Sequence, residues 1–430
     1  MNTASKEYFS EHQRYIKLAA EIGVLILAFV FLLLPGTLRE SDFPIGEEAY
    51  YHLARSESVF GTGFGWNFLL GYFPLNFLLL FTGLLSLLFI FLNLKMLKLE
   101  EKLLALGFFI VSPAFVYLFN VGERFGAGFL FSLIASYFLF DKKYLIAAAI
   151  SLLILLFDIW MGFFILFLIM LYFLLMKEKK KFFYLLIGVF LFSTLLLGDF
   201  SIGIVSDLGA KVGSSVFALS FALGCFLFFW NKKKFLLLYW AAGLLFLFSL
   251  KVEFGIFYFS LLLSTLMSIC FFELLRAKWE SKLIRDLILL IIVCGLMFSG
   301  LSYANRISKE KPADDIFNAL NKLPDDAVVF SGVEYGNWIE YSGKKSVWHS
   351  FMNRDKIERI EGDFSAVLDS RDYSGVIGVL EKYEIDYILL DDELRKRWGE
   401  SGLLYLLRYN TEDFRLLFED DGVEIWRFFR

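Results

Sequence analysis

Long apolar runs, separated by short polar segments, fill most of the chain before residue 304. A bilayer core of roughly 30 Å requires about 20 apolar residues per helix, so each long run predicts a membrane-spanning helix. We predict eleven spans, and the run at 144–157 is short enough to be tilted or partly re-entrant. The predicted spans cover residues 18–35, 68–94, 103–118, 125–140, 144–157, 159–176, 182–198, 213–230, 235–250, 254–275 and 287–303.

The pattern changes at about Asn305, after which polar residues dominate and the net charge of residues 305–430 is −8, from 18 basic and 26 acidic side chains. Strands are predicted at 327–330 and 385–390, and helices at 313–322 and 373–383. Residues 414–418 and 423–428 predict a terminal hairpin with Gly422 in its turn. The sequence therefore predicts a transmembrane domain at 1–304 and a small α/β domain at 305–430.

The distribution of lysine and arginine predicts the orientation of the spans. If the N-terminus is cytoplasmic, the inner segments hold 19 basic residues, whereas the outer loops before the tail hold five. Basic residues are enriched on the cytoplasmic side of membrane proteins. We therefore expect a multi-pass protein of the cell membrane, with a cytoplasmic N-terminus and an extracytoplasmic C-terminal domain.

Composition supports the membrane class and excludes several functions. Hydrophobic residues make up 58% of the chain and phenylalanine occurs 53 times, which a soluble protein could not bury. A net charge of −4 gives no sign of nucleic-acid binding, and three histidines exclude a histidine-rich zinc site. The predicted spans are nearly free of ionisable residues at mid-membrane, which argues against ion-coupled transport. The sequence leaves the oligomeric state open.

The first outer loop holds the most informative run, in which Glu47 and Glu48 precede two tyrosines, His52 and Arg55. Carboxylates suit hard divalent cations such as Mg²⁺ or Mn²⁺, and such ions clamp phosphate oxygens. His52 and Arg55 would then bind a lipid phosphate, for which the planar arginine fork is well matched. The alternative interpretation is that these are solvated loop residues.

Other polar residues lie at the predicted outer ends of spans. Glu123 would stand at the membrane boundary, where an ionisable group is costly unless it is paired or functional, and pairing with Arg124 is the alternative. Asp158 would form a polar wall of a site or only cap a helix. Lys251 would either join Arg124 in binding phosphate or pair with Glu253 across the last outer turn.

The run Glu48-Ala49-Tyr50-Tyr51-His52 resembles the Asp-x-Tyr-Tyr-His signature in the first outer loop of oligosaccharyltransferase catalytic subunits. These subunits belong to the GT-C superfamily of glycosyltransferases, which use polyprenyl-phosphate donors. The Asn120–Glu123 segment resembles the family's second acidic motif, and Asp158-Ile159-Trp160-Met161-Gly162 resembles its Trp-Gly region. Residues 332–338 lie where the family has its Trp-Trp-Asp-Tyr-Gly motif.

This resemblance implies a GT-C-like fold and a metal held by Glu48 and Glu123, whose carboxylates would then lie within ~5 Å of each other. In an enzyme of this kind, Glu47 or Asp158 would act as general base on the acceptor hydroxyl. Glu334, Tyr335 and Trp338 would contact the acceptor, although Tyr335 and Trp338 are also suited to packing in the domain core. The donor would be a polyprenyl- or dolichyl-phosphate-linked sugar. Glutamate replaces the family's metal-binding aspartate, and the long acceptor-clamping loop is absent. The expected activity is that of a shortened glycosyltransferase, and the alternative is a non-catalytic protein that binds lipid-linked glycan or partner proteins.

Overall fold

The computed structural model describes residues 3–39, 41, 43–55, 63–175, 205–229, 236–312, 314–369, 372–398, 402–420 and 422–429. The chain forms two compact units, which we call the apolar unit (Met1–Glu40 and Phe60–Lys309) and the tail unit (Ser41–Val59 and Glu310–Arg430). The tail unit thus contains the first predicted outer loop, whereas the predicted division at 304 and 305 groups that loop with the spans. The two predicted domains remain a prediction.

The apolar unit is helical over most of its described length, because a helix satisfies its own backbone hydrogen bonds in an apolar medium. Among the described residues, four helices are long and apolar enough to cross a bilayer, or five if one bent pair counts as a single span. The chain is therefore a membrane protein. The helices of this unit are Thr3–Leu38, Phe64–Tyr72, Leu75–Asn93, Leu99–Ile110, Pro113–Asn120, Phe125–Phe140, Tyr144–Ile154, Ile159–Leu175, Val216–Phe229, Leu236–Ser249, Gly255–Arg276 and Lys282–Ser308.

Two of the predicted spans are broken at a proline. The run predicted at 68–94 forms two helices that meet at Pro74, because proline lacks an amide hydrogen and collides with a preceding helical turn. The run predicted at 103–118 forms Leu99–Ile110 and Pro113–Asn120, bent by 67°. Ser112 caps the second of these helices by accepting a hydrogen bond from the amide of Phe115. The span predicted at 182–198 lies outside the described residues.

The tail unit contains a mixed five-stranded sheet in the order β2-β1-β3-β5-β4. Strand β1 pairs in parallel with β2 and β3, whereas β5 pairs antiparallel with β3 and β4. The predicted strands and terminal hairpin are present in this sheet, and Gly422 in the hairpin turn has a φ of +81°. The strands are Val328–Phe330 (β1), Lys345–Ser346 (β2), Tyr387–Leu390 (β3), Phe414–Asp420 (β4) and Val423–Phe428 (β5).

Helices cover this sheet and supply much of the core of the tail unit. The helix Arg354–Asp369, which the sequence analysis did not predict, buries Ile360, Phe364 and Val367 at helical spacing. The ring of Phe364 stacks on Phe330 of β1 with centroids 3.9 Å apart. The helices of the tail unit are Glu47–Ala54, Asp314–Leu320, Gly336–Tyr341, Arg354–Asp369, Tyr373–Lys382, Asp392–Trp398 and Leu403–Tyr409.

Candidate functional site

The first outer loop folds as a short helix, Glu47–Ala54, and its two adjacent carboxylates lie in the first turn. Gly46, just before the helix, has a φ of +94°, a conformation that favours glycine. Acidic side chains in the first turn also interact favourably with the helix dipole. The Tyr50 hydroxyl donates to the carbonyl oxygen of Pro44 at 2.7 Å. Glu47 and Glu48 therefore start from a fixed backbone.

Glu48 is paired with His52 one helical turn further on. The His52 Nε2 atom lies 3.0 Å from Glu48 Oε1, and the exposed fractions of the two residues are 0% and 7%. The i, i+4 spacing on a helix brings these side chains together. His52, which we predicted to bind phosphate, is thus placed as the partner of Glu48.

Glu47 is held by two residues from the far end of the sequence. Asn337 Nδ2 donates to Glu47 Oε1 at 2.8 Å, and the Ser350 hydroxyl donates to the same oxygen. Asn337 is fully buried, whereas Ser350 is exposed. Neither residue was predicted from the sequence. Asn337 lies within the segment compared with the acceptor-recognition motif, but no sequence signal pointed to Ser350.

Arg55 follows the helix Glu47–Ala54, which we call the loop helix, and contacts residues of the tail. Its guanidinium lies 4.1 Å from the centroid of the Tyr51 ring, and its Nη2 atom lies 2.7 Å from Glu340 Oε2 and 3.3 Å from His349 Nε2. His349 Nδ1 accepts a hydrogen bond from the amide of Phe351 at 3.2 Å. Burial lowers the pKa of His349 from its ordinary value of 6.5, Glu340 opposes this shift, and Arg55 lowers the pKa further. A neutral His349 is therefore favoured beside Arg55.

The motif-like segment in the tail is anchored from inside the unit. The Tyr335 hydroxyl donates to Asp391 Oδ2 at 2.5 Å and lies 2.9 Å from Lys311 Nζ. The Trp338 ring packs edge-on against Tyr335 with centroids 4.8 Å apart, and both side chains are buried. Burial, together with the Asp391 carboxylate, raises the pKa of Tyr335 above its ordinary value. Both aromatic residues thus pack in the core of the tail unit.

Glu334, the residue at the acidic position of this segment, is partly exposed. One of its oxygens lies 2.6 Å from Nη1 of Arg397, on the helix Asp392–Trp398.

Gly336, two residues after Glu334, allows another part of the chain to approach its backbone very closely. A Cβ atom at position 336 would lie 1.9 Å from the carbonyl oxygen of Trp348. The lack of a side chain at Gly336 therefore lets Trp348 and the residues after it lie against the start of the helix Gly336–Tyr341.

In the apolar unit, Glu123 is buried and lies among polar partners. Its exposed fraction is 4%, its Oε1 atom accepts a hydrogen bond from the Tyr117 hydroxyl, and Lys211 Nζ lies 3.2 Å from the same oxygen. Trp66 Nε1 donates to the carbonyl oxygen of Gly122 at 3.2 Å, which fixes the chain just before Glu123. An ammonium beside a buried carboxylate offsets part of the cost of burying the charge.

Lys211 is placed by the helix Lys282–Ser308. The Tyr303 hydroxyl donates to the carbonyl oxygen of Lys211 at 2.5 Å. Arg306 donates to the carbonyl oxygens of Ser206 and Ala210 at 2.8 and 2.6 Å. Lys211 is a third residue that was not assigned to the site from the sequence, because it lies 88 positions from Glu123 and 92 positions from Tyr303.

Asp158 pairs with a cation and also caps a helix. Its Oδ2 atom lies 3.1 Å from Arg124 Nε, and its Oδ1 atom accepts a hydrogen bond from the amide of Met161 at 2.7 Å. Met161 lies in the first turn of the helix Ile159–Leu175, so the capping role considered from the sequence is present. Lys251 is half-buried in the turn before the helix Gly255–Arg276.

The predicted site residues are divided between the apolar unit and the tail unit. Among the described residues, no three His, Cys, Asp or Glu side chains cluster closely enough to hold a metal ion. Within its own unit, Glu48 faces His52, and Glu123 faces Lys211 and Tyr117. The predicted Glu48–Glu123 distance remains a prediction. The predicted residues in the tail unit are Glu47, Glu48, His52, Arg55, Glu334, Tyr335 and Trp338, and those in the apolar unit are Glu123, Arg124, Asp158 and Lys251.

Solved structures of oligosaccharyltransferase from Archaeoglobus fulgidus are similar in fold to this chain. Its crystal structure tethered to an acceptor peptide containing the NVT sequon gives a TM-score of 0.58 at 12% identity, covering 95% of this chain and 74% of that chain. The archaeal oligosaccharyltransferase AglB in complex with an inhibitory peptide and a dolichol-phosphate gives 0.52 at 13% identity, covering 95% and 74%. The Archaeoglobus fulgidus oligosaccharyltransferase in complex with Zn and sulfate gives a TM-score of 0.56 at 12% identity, covering 93% of this chain and 73% of that chain.

No family model and no curated protein matches the sequence. At 12–13% identity the structural comparison shows a shared fold and does not by itself show a shared activity. The predicted resemblance to oligosaccharyltransferases, in a divergent and shortened form, is confirmed by this shared fold.

Proposed function

We propose that this protein is a membrane glycosyltransferase that moves a sugar or glycan from a polyprenyl-phosphate-linked donor to an acceptor on the extracytoplasmic side. The observation that carries the proposal is the pair Glu47 and Glu48, fixed in the first turn of a helix and held by separate partners. This pair occurs in a chain that shares its fold with an oligosaccharyltransferase, one structure of which contains dolichol-phosphate and a peptide.

Several of the predicted polar residues have a role in this proposal. Glu47 is half-buried, and it would take the proton from the acceptor nucleophile as general base. Arg55, Arg124 and Lys251 would supply positive charge to the donor phosphate. The partly exposed Glu334 would contact the acceptor, while Tyr335 and Trp338 support its segment from the core.

The proposal includes the metal ligands and the membrane topology that were predicted from the sequence. Glu48 and Glu123 carry the hard oxygen ligands that Mg²⁺ and Mn²⁺ prefer, and no step above is assigned to such an ion. We also propose eleven spans, a cytoplasmic N-terminus and an extracytoplasmic tail, supported by the apolar helices and by the distribution of lysine and arginine.

A second function is a non-catalytic protein that binds lipid-linked glycan or partner proteins. The observation that favours it is the pairing of acidic residues with cations inside the apolar unit, where Glu123 meets Lys211 and Asp158 meets Arg124. Such pairs stabilise a fixed binding surface and leave fewer free oxygen atoms for proton transfer.

The experiment that separates the two functions measures donor consumption by the purified full chain in lipid nanodiscs. Dolichyl and shorter polyprenyl phosphates carrying different labelled sugars are incubated with Mg²⁺, Mn²⁺ or EDTA, and release of polyprenyl phosphate is followed with peptide and lipid acceptors. We expect divalent-dependent turnover, and a fall of roughly 10²-fold or more in Glu47→Gln and in Glu48→Gln. Glu280→Gln, an exposed glutamate outside the site, is the matched control.

Two results contradict the enzymatic proposal. If the wild-type chain consumes no donor across the panel but still binds one, the non-catalytic function is favoured. If turnover occurs but Glu47→Gln and Glu48→Gln remain as active as Glu280→Gln, the chemistry takes place elsewhere in the protein.

A further inference from the structure

Two hydrogen-bond donors of the tail unit converge on one oxygen of Glu47. Asn337 Nδ2 lies 2.8 Å from Glu47 Oε1, the Ser350 hydroxyl reaches the same atom, and Asn337 Nδ2 lies 3.3 Å from Ser350 Oγ. Asn337 is 290 positions from Glu47 in the sequence. The three side chains therefore form a closed polar contact within the tail unit, between the loop helix and the segment that contains Asn337 and Ser350. We call this contact the Glu47 clamp.

The local structure explains why these donors lie together. Asn337 is on the first turn of the helix Gly336–Tyr341 and is fully buried, so its amide has few alternative orientations. The neighbouring Gly336 has no side chain, and the Trp348 carbonyl oxygen occupies the place that a Cβ atom would take. This close approach brings Ser350, two positions after Trp348, beside Asn337.

We propose that Asn337 and Ser350 are positioning residues for Glu47, an inference that rests on the proposed function. Hydrogen bonds to a charged acceptor are stronger than neutral ones, so two of them hold the carboxylate in one orientation. Glu48 has its own partner in His52, so the clamp acts on one of the two adjacent carboxylates.

The test uses the exposed serine, because its variants are not expected to disturb folding. We expect Ser350→Ala to lower kcat for donor consumption roughly tenfold with little change in KM for the donor, and Ser350→Thr to retain activity. Asn337→Ala should show a larger fall in kcat.

The matched control is Ser365→Ala, an exposed serine whose hydroxyl bonds to the Gly362 carbonyl oxygen within its own helix. If Ser350→Ala has the same kcat as Ser365→Ala in an active enzyme, the inference is wrong. An unchanged kcat with reduced protein stability would likewise indicate a purely structural contact.

A second readout separates failure of the inference from failure of the proposed function. Thermal unfolding midpoints are measured for the full chain carrying Glu47→Ala, Ser350→Ala or both. Residues in direct contact give non-additive effects, so the clamp predicts that the double variant loses less than the sum of the single variants. Absence of donor consumption by the wild type would overturn the proposed function and, with it, the positioning role, while coupled midpoints would still establish the contact. Additive midpoints would overturn the clamp itself.

Discussion

Replacing Gly336 by alanine is expected to destabilise the protein, although Gly336 lies in a helix and has ordinary helical angles, φ −57° and ψ −39°. A methyl group there would lie 1.9 Å from the Trp348 carbonyl oxygen and 2.8 Å from His349 Cα. Non-bonded carbon and oxygen atoms approach to about 3.3 Å, so the segment that begins at Trp348 would have to move by about 1.4 Å. That movement would separate Ser350 from Glu47, its charged acceptor, and from Asn337.

Three contributions determine how much Gly336→Ala changes the free energy of unfolding. The gain in helix propensity from glycine to alanine is about 1 kcal/mol. Overpacking of a close contact costs about 1–3 kcal/mol, and loss of a hydrogen bond to a charged acceptor costs about 1.5–3 kcal/mol. We therefore expect a net loss in the free energy of unfolding of about 3 kcal/mol.

The assay is the thermal unfolding midpoint of the purified full chain in detergent, followed by intrinsic fluorescence. Gly362→Ala is the matched control, because Gly362 lies in the helix Arg354–Asp369 with no atom within 4 Å of the added methyl group. The control should unfold at a slightly higher temperature than the wild type, and Gly336→Ala at a lower one. A midpoint for Gly336→Ala that equals or exceeds that of the wild type would refute the steric argument.

Two further predictions concern pH and sidedness. The folded-state pKa of His349 is lowered from 6.5, so the contribution of His349 to stability is present above pH 6.5 and is lost as pH falls through the folded-state value. The variant His349→Asn keeps an acceptor for the Phe351 amide. Its unfolding midpoint should therefore fall less than that of the wild type between pH 7.5 and 5.5. An equal loss in both proteins would show that other groups set the pH dependence. In a background without native cysteines, Ser365→Cys should react with an impermeant thiol reagent on intact cells. Met96→Cys should react only after the membrane is opened. The reverse pattern would show that the proposed orientation is wrong.

The helices of the apolar unit were predictable because apolar length is a local property of the sequence. The span predicted at 125–140 coincides with the helix Phe125–Phe140. Proline at positions 74 and 113 indicates a helix break. The breaks were not predicted because each proline lies within a continuous apolar run, which by its length predicts a single span. In the tail, the strand Tyr387–Leu390 was recognisable from its β-branched and aromatic residues.

The candidate site was predictable only as far as its chemistry is local. Glu47, Glu48 and His52 lie in one run, so their type and spacing drew attention to them. The loop was not predicted to be helical, because eight residues form a stable helix only with tertiary support, here from distant residues such as Asn337. Ser350 and Lys211 were missed since each meets its carboxylate only after folding.

The placement of the first loop in the tail unit has a consequence for biosynthesis. Glu47 leaves the ribosome 290 residues before Asn337, its buried partner. At a synthesis rate of 5–20 residues per second, the loop helix waits roughly 15–60 s for the residue that secures it. Throughout this interval the later apolar helices are being made, so the Glu47 clamp closes only after they are complete. A nascent chain arrested before residue 337 therefore carries the carboxylate pair without the clamp.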